Sequence, residues 1–201
     1  MEKVYIAMVN TPGIFATMIR KYLKIPYVHV VLGLDADLSE AYSVGRRFVN
    51  IPVIAGFERE NLNKIEKKYP DADYKIMSVA CTRKQKLTIE KELAETFEVR
   101  YQMHYAILGL LFLVLKKPFY QEGHYTCSSY IARLLSEHGV LNMKKHFSLV
   151  TPKDFYELEN LDVVFEGKIG ELVRSDEEEY HERTAIYSTG MRHLLGTVSG
   201  Q

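Results

Sequence analysis

Tyr27-Val28-His29-Val30-Val31-Leu32-Gly33-Leu34 is the stretch whose reading decides the fold. Its β-branched and aliphatic residues suit a strand, and alternation separates its faces. Val28, Val30, Leu32 and Leu34 share one face. Tyr27, His29, Val31 and Gly33 share the other. Asp35-Ala36-Asp37 supplies a turn, and Glu40 to Val44 is expected to return antiparallel as a hairpin. An imidazole set into a buried strand needs a partner. The returning segment offers Glu40 and Tyr42 on one face and Ser43 on the other.

Upstream, Val4 to Val9 reads as a short buried strand, broken at Thr11-Pro12-Gly13. Ile14 to Lys24 has helical spacing and stops before Pro26. Downstream, Gly45 to Gly56 is basic and turn-rich, and Phe57 to Tyr69 is mixed and charged. Tyr74 to Ala80 is a further strand, and Thr82 to Glu98 a helix. Tyr105 to Leu115 is an uninterrupted apolar run that ends at Lys116-Lys117. A membrane span needs about 20 residues, so the run is expected to be a buried helix. Cys127 to His138 is a helix with Ile131, Leu134 and Leu135 inward and Gly139 at its end. Thr151-Pro152-Lys153-Asp154 has the residues of a helix start. Val163 to Glu166 and Ile169 to Val173 are expected to be a final pair of strands.

The element mix predicts an α+β fold, a small antiparallel sheet packed with several helices. Residues 1–174 form the expected domain. Residues 175–201, which begin with an acidic run from Asp176 to Glu179, form a polar tail that could fold back as a plug. Lys+Arg and Asp+Glu are both 26 in the 201 residues, so the formal net charge is zero. That balance argues against a dedicated nucleic-acid binder and against broad adhesion to an anionic membrane, although a local basic patch remains open. Two cysteines are too few for a disulfide scaffold. The first residues lack the long apolar run of a secretory signal, so a cytoplasmic protein without stable membrane insertion is expected.

Cys127 carries the chemical interest. It stands where a helix should begin, and the positive end of the helix dipole there favours the thiolate. It also lies on the buried face of that helix, where a thiol can be a packing group. Cys81 ends a strand and reads as structural. A thiol nucleophile needs an imidazole to take its proton and a polar group to hold the imidazole. His29 could meet Cys127 if its strand packs against the helix start. Glu40, Tyr42 or Ser43 could then orient the ring, and a carboxylate would best stabilise an imidazolium. His124, with His104 or His138, lacks compact metal-ligand spacing, so no metal is expected. No phosphate-binding glycine motif is present. Arg46, Arg47 and Arg59 form a possible anion patch, more simply read as a solvated face.

Several segments together carry a resemblance. They are Tyr27 to Leu34, Ala41-Tyr42-Ser43-Val44-Gly45-Arg46-Arg47, Tyr125-Thr126-Cys127-Ser128-Ser129-Tyr130-Ile131-Ala132, Leu135 to Gly139, and Thr151-Pro152-Lys153-Asp154-Phe155. In this order they resemble the circularly permuted branch of the NlpC-type papain-like superfamily, over roughly residues 3–167. In that branch the strand bearing the His precedes the helix bearing the Cys, as His29 precedes Cys127 here.

The resemblance implies a permuted papain-like fold, with Cys127 as nucleophile and His29 as general base. Glu40 is the preferred third member of the triad, with Tyr42 and Ser43 as alternatives. The Cys127 backbone N–H is the natural oxyanion donor, beside a side chain such as Tyr5, Tyr125 or Gln121, and Tyr42 is a further candidate substrate contact. The implied activity is that of a cysteine peptidase or amidase, cleaving an amide in a small peptide or amino-acid amide without a cofactor. A lipid-directed thiol hydrolase or acyltransferase of the same fold is the alternative. A non-catalytic binding module is the third reading, and it predicts an inert Cys127.

Overall fold

The computed structural model describes residues 1–48, 51–159 and 161–174, with the side chains of 14, 15, 46–48 and 51–54 left undescribed. The expected tail therefore lies outside the described residues, as do the Arg46 and Arg47 side chains of the anion patch.

The chain is α+β, built on a six-stranded antiparallel sheet in the order β4-β3-β2-β1-β5-β8. Its strands are β1 (Glu2–Asn10), β2 (His29–Gly33), β3 (Ala41–Phe48), β4 (Ile51–Arg59), β5 (Asp73–Cys81) and β8 (Asp162–Lys168). The helices are α1 (Ile14–Leu23), α2 (Leu62–Lys68), α3 (Arg83–Glu98), α4 (Ile107–Val114), α5 (Cys127–Glu137) and α6 (Pro152–Tyr156). A separate parallel pair joins β6 (His104–Tyr105) to β7 (His124–Tyr125).

Alternation along the strands sends side chains to two cores. Ile6, Met8, Val30, Leu32, Tyr42 and Val44 pack with residues of α3, α5 and α6, including Leu93, Tyr130, Ile131, Leu135 and Phe155. Ala7, Val9, Val31, Ala41 and Ile76 pack on the opposite face with Ala72, Ile169, Leu172 and Val173, and Leu62 and Ile65 of α2 join them. The expected alternation holds from Val30 to Leu34, while Tyr27, which precedes β2, packs with Val30 and Leu32 instead of on the opposite face; the hairpin partner is antiparallel as expected.

Three expectations are corrected. Gly45 to Gly56 is largely strand: β3 runs on to Phe48 and β4 follows from Ile51. The basic and turn-forming residues there sit in a sheet-edge hairpin, where backbone pairing overrides local propensity. Residues 169–174 are helical rather than a strand. Ile169, Leu172 and Val173 are spaced to place one helical stripe on the second core. The run around Tyr105 to Leu115 is not a buried helix. It contains β6 and the short α4, which has no buried residue.

Candidate active site

Two devices fix the start of α5. Thr126 and Ser129 form a capping box: Ser129 N–H donates to Thr126 Oγ1 at 3.1 Å, and Thr126 N–H donates to Ser129 Oγ at 2.8 Å. Ser128 then donates its hydroxyl to the Val150 carbonyl at 2.7 Å, tying this turn to the segment before α6. At the far end, Gly139 takes a φ of 64°, a left-handed turn that suits glycine at a helix terminus. Cys127 is thus a first-turn residue held from both sides, and it is 5% exposed.

The sheet opens where this helix arrives. Pairing of β2 with β3 is confined to Leu32–Tyr42 and Gly33–Ala41. Beyond that point the strands part, and the Val30 backbone N–H interacts with the Cys127 thiol instead of extending the ladder. His29 stands at this opening, on the face of Val31 rather than that of Val30 and Leu32.

The His29 ring is held by Ser43, one of the expected candidates, and by Glu60, which the sequence reading did not name. Its Nε2 lies 3.1 Å from Ser43 Oγ and 3.4 Å from Glu60 Oε1. The Ser43 hydroxyl also donates to Glu60 Oε1 in a short contact. A hydroxyl has one proton. With its proton directed at Glu60, the Ser43 hydroxyl accepts from His29, so Nε2 carries hydrogen. Gly45 makes room for the ring: a Cβ there would lie 3.4 Å from His29 Cε1 and 3.3 Å from Ser43 Oγ.

The electrostatics follow from this arrangement. Burial alone would lower the basicity of His29, but its hydrogen bond to Cys127 and the thiolate charge, followed by those of Glu60, push it up to about 10. Burial alone would raise the Cys127 thiol. The hydrogen bond and charge of His29, with the N–H groups of Val30 and Ser128, hold it below the ordinary thiol range. Glu60 is likewise favoured in its neutral form by burial, yet His29 and the Ser43 hydroxyl keep it below the usual carboxylate range. The arrangement favours thiolate, imidazolium and carboxylate in line.

The other sequence candidates lie elsewhere. Glu40 is not the partner of His29. It accepts from the Tyr42 hydroxyl at 3.0 Å, and its backbone N–H is bound by Asp35 in the tight turn. Tyr42 is buried and stacks on Phe57 with ring centres 5.6 Å apart. Tyr5 packs at the margin of the second core. The Tyr125 hydroxyl is engaged with that of Tyr120 at 2.7 Å. Gln121 is exposed, and with Tyr105, Ile107, Leu108, Phe119 and His124 it borders a cavity of about 320 Å³. These positions fit packing and cavity-wall roles better than oxyanion donation.

Arg59 donates to the Ser39 carbonyl at 3.1 Å. The His104 and His124 rings meet at a tilt with centres 5.1 Å apart, while His138 pairs with Glu92 at 2.7 Å. Among the described residues no group of three or more His, Cys, Asp and Glu could hold a metal ion. Cys81 is buried at the end of β5, and burial pushes its thiol up.

Glu60 was missed because the strand before it was read as a turn. The signal was the β-branched and aromatic run Ile51-Pro52-Val53-Ile54-Ala55-Gly56-Phe57. With β4 recognised, Ser43 opposite Glu58 makes Glu60 its diagonal neighbour on the same face. Compared with protein-family models, curated proteins and solved structures, the chain matches none.

Proposed function

We propose that the protein is a cysteine hydrolase of permuted papain-like type. It would cleave an amide in a small peptide or amino-acid amide through a thioacyl-enzyme, with Cys127 as nucleophile, His29 as acid and base, and Glu60 with Ser43 orienting the ring. The supporting observation is the reciprocal pair: His29 raised to about 10 and Cys127 lowered, each largely through the other once burial is overcome.

In the first step the Cys127 sulfur attacks the carbonyl carbon, and the carbonyl electron pair moves onto oxygen. The backbone N–H of Cys127, in the first turn of α5, is the natural donor to that oxyanion. His29 then passes a proton to the departing amine as the C–N bond breaks. Because Nε2 is turned to Ser43 and Glu60, Nδ1 is the nitrogen assigned to this work. A water, losing a proton to His29, next attacks the thioester, and the C–S bond breaks to release the acid and restore the thiolate.

The cavity of about 320 Å³ bordered by Ile107, Leu108 and Phe119 favours a second reading. A mostly apolar wall suits a lipid acyl chain, as in a lipid-directed thiol hydrolase or acyltransferase. A non-catalytic binding module has less support, because it gives no reason for an imidazole and carboxylate behind the thiol.

Intact-mass analysis after brief exposure to aryl esters and peptidyl amides tests the proposal. The parent and Cys81→Ala proteins are expected to gain one acyl group at Cys127, and His29→Ala is not. Faster acylation by long-chain than by aminoacyl donors would favour the lipid reading. Failure of the folded parent to acylate with any donor would overturn both.

A further inference from the structure

Helix α4 presents an apolar face that the described fold does not cover. Ile107, Leu108, Leu111, Val114 and Leu115 are each more than half exposed. They fall at spacings that place them along one stripe of a helix. Scattered exposed aliphatics need no explanation, but a contiguous patch of this kind marks an interaction surface. The helix is firmly seated beneath that stripe. Ala106 N–H donates to the Tyr125 carbonyl at 3.0 Å, and Phe112 stacks on Phe119 with ring centres 4.4 Å apart. The Phe119 N–H is in turn bound by Ser148 at 3.3 Å.

The sequence that carries the patch is basic, and Glu122 is the first acid beyond it. From Arg100 to Gln121 the sequence contains no Asp or Glu, while Lys116 and Lys117 close the apolar run and are exposed. Exposed Lys144 precedes the short 3₁₀ turn Phe147–Leu149, which packs against α4. The zero net charge of the whole chain conceals this local excess. A second copy of the chain is a poor match to the patch. A stable dimer interface draws about 20–30 residues from each side, and two lysine-rimmed faces would repel.

We propose that α4 is an interfacial anchor that docks the protein reversibly on an anionic lipid bilayer. Its leucines would enter the headgroup boundary while Lys116 and Lys117 meet lipid phosphates. Eight residues give a helix about 12 Å long, suited to lying in the interface. No described helix is long and apolar enough to cross a membrane. This inference stands apart from the catalytic reading and would survive its failure.

Co-sedimentation of the full chain with phosphatidylcholine vesicles, with and without phosphatidylglycerol, tests it. The parent is expected to bind the phosphatidylglycerol vesicles, and less so as salt rises. The exposed-site double variant Leu111→Ser with Leu115→Ser is expected to weaken that binding at least tenfold. Lys116→Glu with Lys117→Glu is expected to remove the preference for anionic vesicles. Circular dichroism and the Cys127 alkylation rate of both variants should match the parent, which separates loss of docking from loss of fold or of the site. A parent that stays in the supernatant with every vesicle overturns the proposal, as does binding that neither variant changes. A parent dimer in sedimentation velocity that the leucine variant disperses would assign the face to a second copy and also overturn it.

Discussion

Glu60 reinforces the charge that Cys127 chiefly favours on the imidazole, although it follows the last residue of its strand. Replacing it with Gln keeps a hydrogen-bond acceptor for Ser43 but removes the negative charge beside His29. The imidazolium should then lose its proton more readily, and the Cys127 thiol should rise toward its free range. The pH profile of iodoacetamide alkylation of Glu60→Gln is expected to move up by about one unit, with slower reaction below the new midpoint. Gly45 offers a steric counterpart. Gly45→Ala puts a methyl group against the ring and the Ser43 hydroxyl. It is expected to slow alkylation with a Tm shift of a few degrees at most. If Gly45→Ala reacts at the parent rate, the close approach at this position has no bearing on the thiol.

The helix starts can be tested through their caps. Ser128→Ala removes the bond to the Val150 carbonyl and leaves a buried acceptor unsatisfied. It is expected to cost about 1–3 kcal/mol in urea unfolding. In α6, Thr151 N–H and Oγ1 both donate to Asp154 Oδ2 at 2.7 Å, and Lys145 pairs with Oδ1 at 2.8 Å. Burial alone would raise the Asp154 carboxyl, but Lys145 and Thr151 together hold it below its ordinary range. Its stabilising contribution is therefore present above the unfolded carboxyl value of about 3.9, and is lost as pH falls through the lower folded value. Asp154→Ala is expected to cost about 1 kcal/mol at pH 7 and progressively less as pH falls below the unfolded carboxyl value, read from urea midpoints across that range. These caps were legible as residue patterns, as were the strand of His29 and the inward row of α5. Strand β4 was not, because Pro52 and Gly56 read locally as breakers and its place beside β3 is a long-range pairing. The exposure of α4 was hidden for a related reason. Apolar residues all round a helix usually mark burial, and sequence periodicity does not report whether another layer lies above.

Across the whole molecule, the α+β class followed from alternating periods of two and 3.6, and the structure bears it out. The meeting of His29 and Cys127 required more. It depends on β2 and β3 parting after two paired positions, just where α5 presents its first turn. No local pattern in either segment encodes that opening. The same opening concentrates a buried thiol and two partly buried ionisable groups in one place, a costly arrangement unless each neutralises another. That mutual neutralisation is the central claim, and the pH dependence of Cys127 alkylation by iodoacetamide tests it most directly, in the parent, Cys81→Ala and His29→Ala proteins. The account predicts fast reaction of native Cys127 with an apparent pKa well under the free-thiol value of about 8.5, unchanged by Cys81→Ala and lost in His29→Ala. A Cys127 that alkylates only on unfolding, or that reacts identically without His29, would contradict it.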